Sequence, residues 1–245
     1  MILMIPVQIG IDAEYGLPLT IDLGHTGHFC VVGGTGSGKS VFTLYALYKL
    51  LRSGIPVDLH VGDFKKSGDY AHISPHFAEG DAVTCLVEDY YALFETVPEG
   101  GNNVFHILLL DEYAGFCTWL TQHDKKKAEE IKGKIANILM LGRSRRCYVW
   151  CIQQRITATL FPAGIGAIDN FQVCVGLGRL SPDSRRSLFA GEYPDDTAFM
   201  QTFMPGTGKG LAMVDGQGIR PFVVPHIDSE EDLRALCHKY AILKS

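Results

Sequence analysis

Residues 33–40 read Gly-Gly-Thr-Gly-Ser-Gly-Lys-Ser, a fit to G-x-x-x-x-G-K-[ST]. No other stretch of the chain restricts its fold as tightly, because the string works only where a buried strand delivers it and a helix leaves from it. Both flanks comply. Phe29, Cys30, Val31 and Val32 make a short apolar run bounded by glycine, the pattern of a strand buried on both faces. Beyond Ser40, Leu44, Leu47, Tyr48 and Leu51 recur at i, i+3, i+4 and i+7 until Gly54 and Pro56 end the pattern. In such a unit the backbone N–H groups of Gly33, Gly34, Thr35, Gly36, Ser37 and Gly38 turn inward around a polyphosphate, and the helix N-terminus adds partial positive charge. Lys39 then reaches the β- and γ-phosphates and the Ser40 hydroxyl ligates Mg²⁺. A later string, Gly206-Thr207-Gly208-Lys209-Gly210, lacks the lysine–hydroxyl ending and runs into a strand. It predicts a plain flexible loop, not a second cradle.

The rest of the chain keeps the alternation that this unit begins. Short extended pieces over 1–27 are broken at Gly10, Gly16, Pro18 and Gly24, and strands are predicted at 57–62, 104–110, 147–152 and 171–177. Helical stretches are predicted around 88–96 and over 125–141, where Ile131, Ile135, Ile138 and Leu139 share one face. Residues 211–214 and 220–224 predict a late hairpin around Asp215-Gly216-Gln217-Gly218, and 229–243 a closing helix with Ser229 and Asp232 in capping-box spacing. Alternating strands and helices predict an α/β fold with a mostly parallel sheet covered on both faces. With no repeat, low-complexity segment or long linker, residues 1–245 read as one domain.

Composition narrows the function classes. At 245 residues and 47% hydrophobic content the chain can bury roughly 70–75% of the surface its unfolded form exposes. A net charge of -5 excludes a globally basic nucleic-acid coat, so any phosphate-binding face must be local. The 7 cysteines are scattered without CxxC spacing, which suits buried thiols in a reducing cytosol. No run of 18 apolar residues occurs. The expectation is a cytoplasmic protein with no transmembrane segment of its own.

Hydrolysis needs a metal-side acid and a group that orients water. Asp111 and Glu112 end the apolar run Ile107–Leu110 abruptly, which puts both at the carboxyl end of a strand beside the P-loop. Asp111 is expected to hold Mg²⁺ through water and Glu112 to serve as general base. Gln153 and Gln154 close another strand at the edge where ligands collect in open α/β sheets, and a carboxamide there is placed to sense a γ-phosphate. Arg143, Arg145 and Arg146 sit between a predicted helix and strand, while Arg185 and Arg186 follow Pro182-Asp183-Ser184. A ring ATPase needs one arginine that reaches a neighbour's site, and a position late in the chain favours the second pair. The 9 histidines show no HExxH or paired metal spacing and read as structural or exposed.

Several of these segments together resemble the FtsK branch of the FtsK/HerA motor ATPases. His28–Val41 is similar to that family's strand, phosphate loop and trailing Ser-Val, which adds Val41 to the nucleotide-binding residues. Asp63-Phe64-Lys65 resembles its Asp-Pro-Lys, with Phe64 in place of proline, and Leu109-Leu110-Asp111-Glu112-Tyr113 resembles its acidic strand end. Gly142-Arg143, ten intervening residues and Gln154-Arg155 match a further family segment without a gap, with Gln153 for the usual threonine and Ile156 for the usual proline. Asp183-Ser184-Arg185 resembles the segment that carries the trans-acting arginine, which implies Arg185 in that role with Arg186 in reserve. Pro205–Leu211 and Asp228–Glu231 resemble the late glycine turn and the acidic start of the closing helix, so the likeness spans nearly the whole chain.

The resemblance implies a RecA-like core, assembled as a homo-hexameric ring, that couples ATP hydrolysis to movement of double-stranded DNA through its pore. No membrane-spanning run, long linker or winged-helix module is evident, so the likeness is to a bare motor domain of the mobile-element or conjugation type. A relaxase or a membrane-anchored protein would recruit it. Lys125, Lys126, Lys127, Lys209 and Arg220 are expected in loops that face the pore and touch DNA phosphates. Alternatives within the same superfamily are a viral genome-packaging ATPase or a protein-secretion ATPase. From another class comes a scaffold in which ATP only orders the ring, against which Glu112 speaks.

Overall fold

The structure is a computed structural model that describes residues 5–162, 166–215 and 217–242. Its frame is a ten-stranded sheet in the order β2-β1-β10-β9-β8-β3-β7-β6-β4-β5. The strands are β1 (Pro6–Asp12), β2 (Pro18–Asp22), β3 (Phe29–Gly33), β4 (Val57–Asp63), β5 (His76–Glu79), β6 (Phe105–Asp111), β7 (Cys147–Gln153), β8 (Val173–Leu177), β9 (Lys209–Val214) and β10 (Gly218–Val223). From β8 to β5 every pairing is parallel. From β8 through β9, β10 and β1 to β2 every pairing is antiparallel.

Helices cover both faces because the central strands are apolar on both. In β6, Ile107 and Leu109 enter one core while Leu108 and Leu110 enter the other, as the alternation of side chains along a strand requires. The first core is closed by α1 (Lys39–Arg52), through Leu44, Leu47 and Leu50, and by α7 (Glu230–Ile242), through Leu233 and Cys237. The second is closed by α2 (Val83–Thr96), α3 (Tyr113–His123), α4 (Lys125–Arg145) and α5 (Pro182–Leu188). A short α6 (Ala198–Thr202) precedes β9.

The mostly parallel, doubly covered sheet is as expected, but its antiparallel side is wider than one late hairpin. The extended pieces near the start of the chain form the β1–β2 hairpin, and Ile11 and Asp12 pair with Val223 and Phe222 of β10. Local pattern cannot show that pairing, since its two strands lie at opposite ends of the chain. In the β9–β10 turn, Gly216 lies outside the described residues, as do residues 1–4 of the apolar start and Leu243 of the closing helix. Four elements were not among those predicted: β5, α3, α5 and α6. The segment of α3, Tyr-Ala-Gly-Phe-Cys-Thr-Trp-Leu-Thr-Gln-His, is poor in strong helix formers and is held by burial of Phe116, Cys117 and Leu120.

The arginines near residue 145 are also placed differently. Arg143 and Arg145 belong to the last turn of α4, and Arg146 is its C-cap in the left-handed region at φ 57°. The Arg145 guanidinium donates to the carbonyls of Phe94 (3.1 Å), Glu95 (3.3 Å) and Val97 (3.0 Å). It therefore satisfies carbonyls left over at the end of α2. Gly142 lets α4 lie against β7: a Cβ there would stand 2.1 Å from the Cys147 carbonyl oxygen.

Candidate nucleotide site

The carboxyl edge of the parallel strands collects the polar residues. β3 sits between β8 and β7, buried at every residue, and releases the chain into the 33–38 loop. Gly38, the N-cap of α1, adopts φ 94°, which only glycine takes without strain. The loop folds on itself through Ser37 N–H donating to Gly34 O at 3.2 Å. Lys39 Nζ donates to Gly33 O at 2.7 Å and Gly34 O at 3.1 Å. Burial lowers the Lys39 pKa, opposed by Asp111 and Glu112 and reinforced by Lys65.

The 206–210 segment is not a free loop. Gly208 N–H donates to Ser37 O at 2.9 Å and Thr207 Oγ1 to Gly36 O at 3.1 Å. Gly178 N–H donates to Lys209 O at 2.9 Å. This turn braces the phosphate loop from the β8–β9 side, and its small residues allow close backbone contact.

Carboxylates face the lysine from the other side. Asp63 and Asp111 are register partners at the ends of β4 and β6. Asp63 is fully buried; its Oδ2 accepts from Gly68 N–H at 2.9 Å and Ser67 Oγ at 3.2 Å, while Oδ1 has no hydrogen-bond partner. Ser40 Oγ donates to Asp69 Oδ2 at 2.5 Å. Asp111 is pushed up to about 7 by burial and by the nearby charges of Asp63, Glu112 and Asp69, against the pull of Lys39. A hydroxyl and several carboxylates, whose charges raise the proton affinity of Asp111, form an oxygen-only donor set suited to a hard divalent cation. Ser40 and Asp111 thus fit Mg²⁺. Asp69 is a member of this cluster that the sequence gives no motif to find.

Glu112 follows Asp111 with φ 57° as the N-cap of α3. A non-glycine residue held in the left-handed region costs about 1–3 kcal/mol, and here the conformation turns the chain sharply from β6 into α3. Glu112 Oε2 accepts from Gln154 Nε2 at 3.2 Å. The two line a shallow open hollow with Trp119 and Arg155. Gln153 points the other way: it is buried, with Nε2 3.6 Å from Cys30 Sγ. A larger hollow of about 510 Å³ lies away from the loop, lined by residues including Met140, Arg143 and Phe171. Phosphate chemistry needs converging N–H groups and charge rather than enclosed volume, so the open carboxyl edge is the candidate site.

Arg185 lies half-buried and Arg186 exposed in α5, which begins with the Ser181 side chain accepting from Ser184 N–H. Among the described residues neither guanidinium forms an ion pair. α5 follows β8, on the opposite flank of the phosphate loop from the acids on β6. The structure does not place the expected DNA-binding cations in loops. Lys125, Lys126 and Lys127 form the first turn of α4, and Lys127 pairs with Glu88 and with Glu130 at 3.2 Å. Lys209 starts β9 and is exposed, whereas Arg220 lies within β10, 3.6 Å from the buried Asp12 Oδ2. The three lysines and the β9–β10 residues stand on opposite halves of the sheet.

No protein-family model matches the chain. It is 24% identical over 224 residues to the FtsK domain-containing protein YdcQ of Bacillus subtilis (strain 168), covering 84% of this chain and 44% of that protein. The chain thus spans less than half the length of that curated relative. The pCW3 conjugation coupling protein TcpA, solved as a monomer with ATPγS, superposes with a TM-score of 0.73 at 19% identity, over 99% of this chain and 71% of that one. The cytoplasmic domain of the Thermomonospora curvata type VII secretion ATPase EccC superposes with a TM-score of 0.67 at 19% identity, over 97% of this chain and 31% of that one. The chain has the fold of the FtsK/HerA-type P-loop ATPases.

Proposed function

We propose that this chain of FtsK/HerA-type fold is an ATP-hydrolysing motor domain that works as a homo-hexameric ring and translocates double-stranded DNA in conjugative or mobile-element transfer. The observation that carries the reading is the pair Asp111–Glu112 at the end of β6, facing Lys39 and tied to Gln154 just beyond β7. A site built only to hold nucleotide has no use for a carboxylate fixed in a costly backbone conformation beside a glutamine.

In this reading residues 33–41 bind the triphosphate, with Lys39 exchanging its carbonyl partners at Gly33 and Gly34 for phosphate oxygens. Ser40, and Asp111 through water, would hold Mg²⁺, which would supply charge neutralisation for the triphosphate. Glu112 accepts the proton of the water that attacks the γ-phosphorus as the bond to the leaving ADP oxygen breaks, and Gln154 fixes the orientation of that carboxylate. Arg185, on the flank away from the acids, completes a neighbouring subunit's site. Exposed Lys125, Lys126 and Lys209 meet DNA phosphates, while Lys127 and Arg220 serve their ion pairs. A relaxase or a membrane-anchored protein recruits the ring.

The test is ATP turnover with and without linear duplex DNA across protein concentration. Stimulation by DNA, with a steep rise in specific activity as protein concentration increases, supports a ring completed in trans. Ample turnover indifferent to DNA overturns translocation and favours the protein-exporting alternative, which the likeness to a secretion ATPase supports.

A further inference from the structure

The opposite edge of the same parallel sheet holds a second cluster that nucleotide chemistry does not use. Asp58 and His60 lie two residues apart on one face of β4; His76 is the register partner of His60 on β5, and His106 that of Asp58 on β6. The rings of His60 and His76 stack with centroids 4.3 Å apart and planes 7° from parallel. Both present Nε2 to the same carboxylate, at 3.2 Å from Asp58 Oδ2 and 3.7 Å from Asp58 Oδ1 respectively. His106 Nδ1 lies 2.9 Å from Oδ2, and its Nε2 lies 3.1 Å from Asn102 Oδ1.

We infer that Asp58, His60 and His76 form a site for a borderline divalent cation of the Zn²⁺ class, with His106 positioning the carboxylate. One donor atom from each of the three residues lies within 4.8 Å of the other two, so tilting the two stacked rings towards one another would bring all three onto one ion. Two imidazoles and one carboxylate are a three-ligand set typical of Zn²⁺, which leaves a coordination position to water. His106 bonded to Oδ2 leaves Oδ1 for the metal, and ligating carboxylates are commonly held by such a partner. The His60 ring is buried, and its Nδ1 has no hydrogen-bond partner, so its polar anchoring is through the nitrogen at the site. Entry is open, since the His76 side chain is 53% exposed.

The ion's effect would be local. β5 is a four-residue edge strand paired only to β4, and an ion ligated by both His60 and His76 would staple it to its neighbour. Asp58 and Asp63 stand at opposite ends of β4, about 17 Å apart at the usual strand rise, so the staple is separate from the phosphate site. Mg²⁺, which prefers all-oxygen octahedral sites, is a poor match for two imidazoles.

The experiment titrates Zn²⁺ into tag-free, chelator-treated full chain without nucleotide. One saturable ion per chain is expected, with slowed amide exchange confined to β4 and β5, and a Co²⁺-loaded form with the intense visible bands of a four-coordinate site. His76→Gln, at an exposed position that does not threaten folding, should weaken binding at least ~10-fold, and His106→Gln ~10- to 100-fold. Absence of saturable binding in the wild type, or unchanged affinity in His76→Gln, overturns the inference. Because neither variant touches the phosphate loop, Mg²⁺-dependent ATP turnover reports on the proposed motor independently.

Discussion

The two edges of the parallel half-sheet are built by the same strands and solve opposite problems. At the carboxyl edge β3, β4, β6 and β7 end in Gly33, Asp63, Asp111 and Gln153, and the chain beyond them gathers carboxylates, a lysine and free N–H groups. At the amino edge the same strands gather imidazoles: His28 just before β3, His60 in β4 and His106 in β6, with His76 at the start of β5. One edge is strained and open, with Glu112 at φ 57°; the other is packed, with His28, His60 and His106 buried. The difference teaches that the carboxyl edge crowds carboxylates against a lysine, ready for a polyphosphate and its cation, while the amino edge pairs its rings with Asp58 or with backbone groups.

The sharpest way to break this division is Glu112→Gln, which keeps size and removes the proposed base. Turnover of ATP should fall about 100- to 10,000-fold with nucleotide affinity retained, measured by steady-state hydrolysis alongside calorimetric binding. Retained turnover would strip the carboxyl edge of its assigned chemistry. Second in size is an effect of acid on the amino edge. His28 Nδ1 accepts from Val149 N–H at 3.0 Å, and burial, aided by Arg143, drives its pKa from 6.5 down to about 3. The unfolded chain therefore binds the extra proton first. Stability from this group is complete above pH 6.5 and declines as pH falls towards 3, by about 1.4 kcal/mol per pH unit. His28→Asn should flatten that slope in urea denaturation at pH 4–6.5, whatever it costs at neutrality; an unchanged slope would assign the acid sensitivity elsewhere.

Smaller effects sharpen the comparison. Gln154→Ala removes one hydrogen bond to an exposed carboxylate and should lower kcat about 3- to 10-fold, in line with about 0.5–1.5 kcal/mol, with KM little changed. Thr207→Val removes the hydroxyl that braces Gly36 and should raise KM for ATP about 2- to 4-fold while leaving kcat near wild type. If Thr207→Val lowered kcat instead, the brace would belong to the chemical step rather than to the shape of the loop.

The carboxyl edge was largely legible in the sequence because its chemistry is consecutive: residues 33–40 are one string, and Asp111-Glu112 interrupt an apolar run. What was not legible depends on contacts between distant segments. Asp69 meets Ser40 through the loop after β4, and Thr207 meets Gly36 across the fold. The histidines look unrelated in the chain because register across β4, β5 and β6 brings them together, and no spacing rule encodes register. Lys125–Lys127 fall on the helix predicted over 125–141, where the Asp124 side chain accepts from Lys127 N–H at 2.9 Å, and not in the pore loop that their expected DNA contact assumed. Arg220 looked free because its partner Asp12 comes from the first strand, whose place beside β10 no local pattern reveals.

The brace at residues 207 and 208 has a mechanical corollary. The segment that clasps Gly36 and Ser37 continues directly into β9, which is knitted to β10 and thence to β1. Any widening of the phosphate loop must either snap both clasps or tug on the root of that ribbon. Opening and closing around a nucleotide would then be felt as a pull along the antiparallel wing, far from where the phosphates sit.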